Sequence, residues 1–75
     1  MKIYDLEGTS RKIFELSEKK GWTDAKLSEQ MGLTPQAISK WRKCKNSPTV
    51  DALVLMSGIF GVSLDELIDN YEIEL

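Results

Sequence analysis

One connection constrains this chain more than any other feature: three residues, Gly32-Leu33-Thr34, join two segments that both carry helical spacing. Thr23 stands where an N-cap is needed for a helix over about Asp24–Met31, its hydroxyl placed to accept from a free N–H of the first turn. Gly32 follows the last turn, where a left-handed residue ends a helix at no steric cost. Thr34 caps the next helix, and Pro35 takes its first position, where a missing N–H costs nothing. That helix runs to about Lys43. A turn so short forces the two helices to cross at a large angle instead of folding back antiparallel. The inward positions then follow. Leu27 and Ser28 face the partner helix, Ser28 being small enough for close approach, and Ile38 and Trp41, three apart, anchor the second helix.

The remainder reads as further short helices. The first covers about Thr9–Lys20, with Ile13 and Leu16 on one face and Gly21 as its stop. A polar loop, Lys45-Asn46-Ser47, is punctuated by Pro48. The fourth helix starts near Thr49 and ends before Gly61. The fifth starts at Ser63, which forms a capping box with Glu66. Hydrophobic staples across three N-caps, Trp22 to Leu27, Leu33 to Ile38 and Val62 to Leu67, agree with these boundaries. Strand alternation is nearly absent, and there is no repeat, low-complexity tract or linker. The expected fold is all-α: a compact five-helix bundle in one domain over residues 1–75, with residues 1–8 as an N-terminal extension and 70–75 as an acidic C-terminal tail.

Composition narrows the function. There is no histidine and one cysteine, Cys44. The usual general base, a Ser-His-Asp arrangement, an internal disulfide and a multi-cysteine metal site are therefore excluded. No glycine-rich phosphate loop is present, so neither an enzyme nor a cofactor is expected. No apolar run reaches the ~18 residues of a membrane span, and the first residues lack a signal peptide's apolar core. A reducing cytoplasm is the expected location. Net charge is −2, but all ten Lys and Arg lie in residues 1–50 against six acids, leaving +4, whereas residues 51–75 hold six acids and no base, leaving −6. Such asymmetry assigns one face to an anion and the other to something else.

The chain resembles the Cro and phage-repressor type of helix-turn-helix domain, the XRE-like family, over a core of about residues 10–69. The resemblance rests on Ile13, Leu16, Thr23, Leu27, Gly32, Thr34, Ile38, Ser39, Trp41, Lys45, Pro48, Leu53, Met56, the run Phe60-Gly61-Val62-Ser63-Leu64-Asp65, and Leu67. It implies the lambda-repressor-like fold, binding of double-stranded DNA as a homodimer, and control of transcription, with repression as the expected sign. With Ile38 and Trp41 facing inward, Gln36, Ser39, Lys40 and Lys43 face outward, and Gln36, Lys40 and Lys43 form one stripe. Gln36 suits the N6 and N7 of adenine, Lys40 the O6 and N7 of guanine, and Ala37 a thymine methyl. Gln36, Ala37, Ser39 and Lys40 are the expected base-contacting residues. Lys43, Lys45 and Asn46, with the caps Thr23 and Thr34, are the expected phosphate contacts.

Some positions depart from the family pattern. Asp24 replaces a frequent phosphate-contacting Gln and is expected to repel phosphate. Pro35 offers no donor at another reading position, which leaves more to DNA shape. Arg42 replaces a frequent acid and is expected to add positive charge near the groove. Cys44 replaces the usual Gly after the third helix; a positive φ there costs about 1–2 kcal/mol, and the position reads first as a tolerated substitution, with a redox-responsive cysteine between Lys43 and Lys45 as the alternative. The fourth helix is more apolar than one buried stripe needs. Leu55 and Ile59, with Ile3 and Tyr4 of the extension, are the expected dimer surface. The alternative function is an antitoxin-like or other protein-interaction module that uses this acidic and apolar surface.

Overall fold

The computed structural model describes residues 1–74; Leu75, the end of the expected acidic tail, lies outside them. The elements are β1 (Lys2–Asp5), α1 (Leu6–Lys19), α2 (Asp24–Met31), α3 (Pro35–Arg42), α4 (Val50–Phe60), α5 (Leu64–Leu67) and β2 (Asp69–Glu72). The five expected helices are present. Their interior is one cluster of Ile13, Phe14, Leu27, Met31, Ile38, Trp41, Leu53, Met56 and Leu67, every one buried. Trp22 and Val62 pack against this cluster as their staples require. Leu33 does not: it is 39% exposed, while Ile38 is fully buried.

Local chemistry sets the boundaries. Thr23, Thr34, Thr49 and Ser63 each accept a backbone N–H of their helix's first turn, at 3.1–3.2 Å. The helix ends are equally uniform. Gly21 donates to Glu18 and Trp22 to Ser17; Gly32 donates to Glu29 and Leu33 to Ser28. These paired bonds, around a residue of positive φ, are the Schellman closure that satisfies the last carbonyls. The end of α3 repeats it with Cys44 in the left-handed place (φ 56°), Cys44 donating to Trp41 and Lys45 to Lys40. The strain anticipated at Cys44 is therefore present. Cys44→Gly should relieve about 1–2 kcal/mol of side-chain crowding and return part of it as glycine's extra chain entropy. A net gain of up to about 1 kcal/mol raises the melting temperature by several degrees in a domain of this size. Thermal unfolding at or below the parent midpoint would show that this position is unstrained.

Two differences from the sequence reading lie at the ends. The extension and the tail are not loose segments: β1 and β2 pair antiparallel, with Lys2 opposite Glu72, Ile3 opposite Tyr71, Tyr4 opposite Asn70 and Asp5 opposite Asp69. The amino terminus donates to the Ile73 carbonyl and pairs with Glu72 at 3.2 Å. Helix α1 also begins earlier than Thr9, because Asp5 is its cap and accepts the Gly8 N–H at 2.9 Å. Thr9 is buried, and its hydroxyl accepts the Asp69 N–H at 2.9 Å, which ties β2 to α1.

Gly8 looks like a helix breaker in the sequence, but it is a space requirement. A Cβ there would lie 2.5 Å from an oxygen of Asp5 and 2.5 Å from one of Asp69. Gly→Ala within a helix ordinarily gains about 0.5–1 kcal/mol. At Gly58 in α4, where an added Cβ meets nothing within 4 Å, that gain is expected. At Gly8 the sign should reverse, since Asp5 must leave its capping position at a cost of about 0.5–2 kcal/mol. Comparing the two variants by thermal unfolding decides this; stabilisation by Gly8→Ala would contradict it.

Candidate nucleic-acid interface

The candidate surface on α3 is built from its buried side outward. Helix α3 is fixed by Ile38 (fully buried) and Trp41 (6% exposed). A buried hydrogen bond from Ser10 Oγ of α1 to the Trp41 carbonyl, 2.9 Å, sets its depth. The opposite side carries Gln36, Lys40 and Lys43, all exposed, with Ala37 and Ser39 half-buried at the margins. Lys40, Lys43 and Lys45 form no ion pair among the described residues, so their charge is available to an anion.

Both helix entries beside this stripe are open. Thr23 Oγ1 accepts from Lys26 and Thr34 Oγ1 from Ala37, which leaves each hydroxyl proton free to donate. Pro35 has no N–H and Thr34 takes that of Ala37, so Gln36 supplies the free backbone donor at the start of α3. Lys43, Lys45 and Asn46 follow the helix and are exposed. The described side chains hold no group of three or more potential metal ligands, and no described helix is long and apolar enough to cross a membrane.

Asp24 and Arg42 require a correction. The sequence reading has Asp24 repelling phosphate and Arg42 adding charge at the groove. Instead, Arg42 donates through Nε (3.0 Å) and Nη2 (2.7 Å) to the two carboxylate oxygens of Asp24. Its guanidinium also lies 4.0 Å from the centre of the Phe14 ring. The hydrogen bond to Asp24 raises the Arg42 pKa further above its ordinary value. The two charges cancel locally, and the planar fork binds α2 to α3 across the turn. Neither residue signals the other locally; the pairing, 18 residues apart, is what gives both departures sense.

The expected dimer surface divides. Leu55 is exposed (45%) and lines a groove with Met31, Leu33, Thr49, Asp51 and Ala52. Ile59 instead packs partly against the core. Val54 (53%), one of the apolar residues that make α4 richer than a single buried stripe needs, and Val50 (74%), one turn before it, are more exposed than Leu55. Helical periodicity sets this pair on a different side of α4 from Leu55, so Leu55 does not point to it. Ile3 and Tyr4 belong to β1. The Tyr4 hydroxyl reaches Ser47 Oγ at 3.0 Å, a contact between residues 43 apart that no local window shows.

A helix-turn-helix family model matches residues 13–67. This chain belongs to the helix-turn-helix family. The helix-turn-helix domain is 34% identical over 64 residues to the HTH-type transcriptional activator BcrR of Enterococcus faecalis, an alignment covering 85% of this chain and 31% of BcrR. It therefore spans under a third of that relative's length. Among solved structures, a transcriptional regulator from Listeria innocua superposes with a TM-score of 0.76 at 17% identity, over 96% of this chain and 64% of that one. The substrate complex of FeII HppE superposes with a TM-score of 0.75 at 20% identity, over 87% of this chain and 38% of that one. At such identities the likeness is one of fold.

Proposed function

We propose that this domain binds double-stranded DNA sequence-specifically as a transcriptional regulator, laying α3 in the major groove as one half of a homodimer. The observation that carries the reading is the unpaired stripe of Gln36, Lys40 and Lys43 on a helix whose other side is locked by Ile38, Trp41 and Ser10. Gln36 and Lys40 present donors suited to purine edges, and Ala37 and Ser39 complete the base contacts. Thr23, Thr34, Lys43, Lys45 and Asn46 hold phosphates on either side. One such motif makes few contacts, and two-fold pairing sets two α3 helices about 34 Å apart on a near-palindrome. The exposed apolar side chains of α4, Val50 and Val54 on one side and Leu55 on another, support pairing through this helix, since exposed apolar surface marks an interaction site. Repression is the proposed sign, because occupancy of DNA alone suffices for it; the relative BcrR is described as an activator.

The reading is tested by selection from random duplexes followed by a salt titration. Selected DNA should bind at least ~10³-fold tighter than random DNA, with log K falling by ~0.9 per neutralised phosphate for each log unit of salt. Failure to enrich any duplex, or binding indifferent to salt, would refute it. The dimer is tested by sedimentation of Leu55→Lys, which should be monomeric where the parent is dimeric and should bind a two-half-site duplex at least tenfold more weakly. A parent that stays monomeric on and off such a duplex would assign the α4 face to a different protein.

A further inference from the structure

The loop that follows α3 carries two of the proposed phosphate contacts, Lys45 and Asn46, yet little holds it. Lys45 is fixed at its start by the bond from its N–H to the Lys40 carbonyl, and Pro48 is buried at its end. Between them Asn46 and Ser47 are exposed. Among the described residues, and beyond that bond to α3, the hydrogen bond that joins the loop to another element is the one between the Tyr4 hydroxyl and Ser47 Oγ, 3.0 Å. Ser47 Oγ also lies 3.1 Å from the Pro48 carbonyl, to which it donates. A serine hydroxyl has a single proton. With that proton on Pro48, Ser47 accepts from Tyr4, and the direction is set: Tyr4 O–H to Ser47, then Ser47 O–H to the Pro48 carbonyl.

Tyr4 is itself well supported. It lies within the strand pair, opposite Asn70, and β2 is joined to the buried Thr9 of α1 through the Asp69 N–H. The hydroxyl chain thus runs from the helical core, through the terminal sheet, to the backbone beside Lys45 and Asn46. We propose that Tyr4 is a positioning residue for DNA binding: the β1–β2 sheet, through the Tyr4–Ser47 hydrogen bond, holds the Lys45–Asn46 loop in the conformation that meets the phosphate backbone.

This inference rests on the DNA-binding reading above and adds to it a part of the chain outside the helix-turn-helix itself. Pre-ordering a loop that must be ordered in the complex removes an entropic cost of binding. The contribution falls on backbone contact and not on base reading, so it applies to every duplex alike. Neither side chain is charged, so the salt dependence is untouched.

The experiment uses Tyr4→Phe, which keeps the ring, Ser47→Ala, and the two together, each titrated with the selected duplex and with random DNA. Each single variant should lower affinity for both duplexes by about three- to tenfold, the scale of one hydrogen bond. The double variant should lose no more than either single one, because the same bond is removed. In the free proteins, the amide order parameters of Lys45, Asn46 and Ser47 should fall while those of α3 stay near the parent's, and the melting temperature should fall by no more than the several degrees that one hydrogen bond is worth. Parental affinity in Tyr4→Phe would overturn the inference. So would a loss confined to the selected duplex, a double variant whose losses multiply, or unchanged loop order. If the unmodified domain binds no duplex, the functional reading falls and this inference with it; parental binding that Tyr4→Phe leaves intact removes this inference alone.

Discussion

Replacing Gln36 and Lys40 together by alanine is expected to abolish discrimination between a selected duplex and random DNA while leaving random binding within a few-fold of the parent. Each well-formed side-chain pair to a base edge is worth about 1–3 kcal/mol of discrimination, so the pair carries about 2–6 kcal/mol, most of the margin that separates a specific from a non-specific complex. The fold should not suffer. Both side chains are exposed, and alanine is the better helix former. The Lys40 carbonyl, which closes the end of α3 by accepting the Lys45 N–H, is untouched. One positive charge is removed per subunit, two per dimer, so the salt slope should shrink by about two phosphate equivalents at most. Lys45→Ala is the complement: it weakens every duplex alike and leaves the ratio unchanged. Fluorescence anisotropy against both duplexes at two salt concentrations separates the two patterns. Retained discrimination in the double variant would move base reading off Gln36 and Lys40.

Trp41→Ala should leave the domain largely unfolded near physiological temperature. The side chain is 6% exposed and part of the single core cluster, and its carbonyl accepts both the buried Ser10 hydroxyl and the Cys44 N–H. Truncating a buried tryptophan costs about 3–5 kcal/mol. A 75-residue domain commands about 4–11 kcal/mol in all, at about 0.05–0.15 per residue. The midpoint of thermal unfolding should therefore drop by more than about 12 °C, at about 4–8 °C per kcal/mol. Trp41→Phe keeps an aromatic in the site and should retain the fold with a smaller loss. A Trp41→Ala protein that melts within a few degrees of the parent would show that the core does not depend on this anchor.

The helices were legible because each is signalled within a few residues of itself. Thr23, Thr34, Thr49 and Ser63 cap where a hydroxyl precedes an apolar run, and Gly21, Gly32 and Gly61 stand in left-handed conformation after the last turns. The outward stripe of α3 followed from Ile38 and Trp41 by periodicity alone. What the sequence hid was contact between distant residues. Four-residue strands give no usable alternation, and the partner of Ile3 is Tyr71 at the other end of the chain. The charge pair of Asp24 and Arg42 was hidden for the same reason: an acid expected to repel phosphate and a base expected to add charge at the groove neutralise each other only once α2 and α3 cross. Gly8 is the opposite case. Its local signal says helix breaker, whereas the constraint comes from the carboxylates of Asp5 and Asp69 brought around it.

The terminal sheet also bears on the order in which the chain assembles. Its strands join residues as far as 72 positions apart. Such closure is slow and gains nothing until the intervening chain is already compact. A two-stranded ribbon is marginal by itself, so this one forms on a finished helical core and is expected to be the first part to open in local fluctuations. Ser47 receives the Tyr4 hydroxyl only after that last step. A nascent or partly opened chain can hold α3 correctly and still lack a set Lys45–Asn46 loop, so the sheet reports, at one edge of the proposed DNA-binding face, that folding is complete.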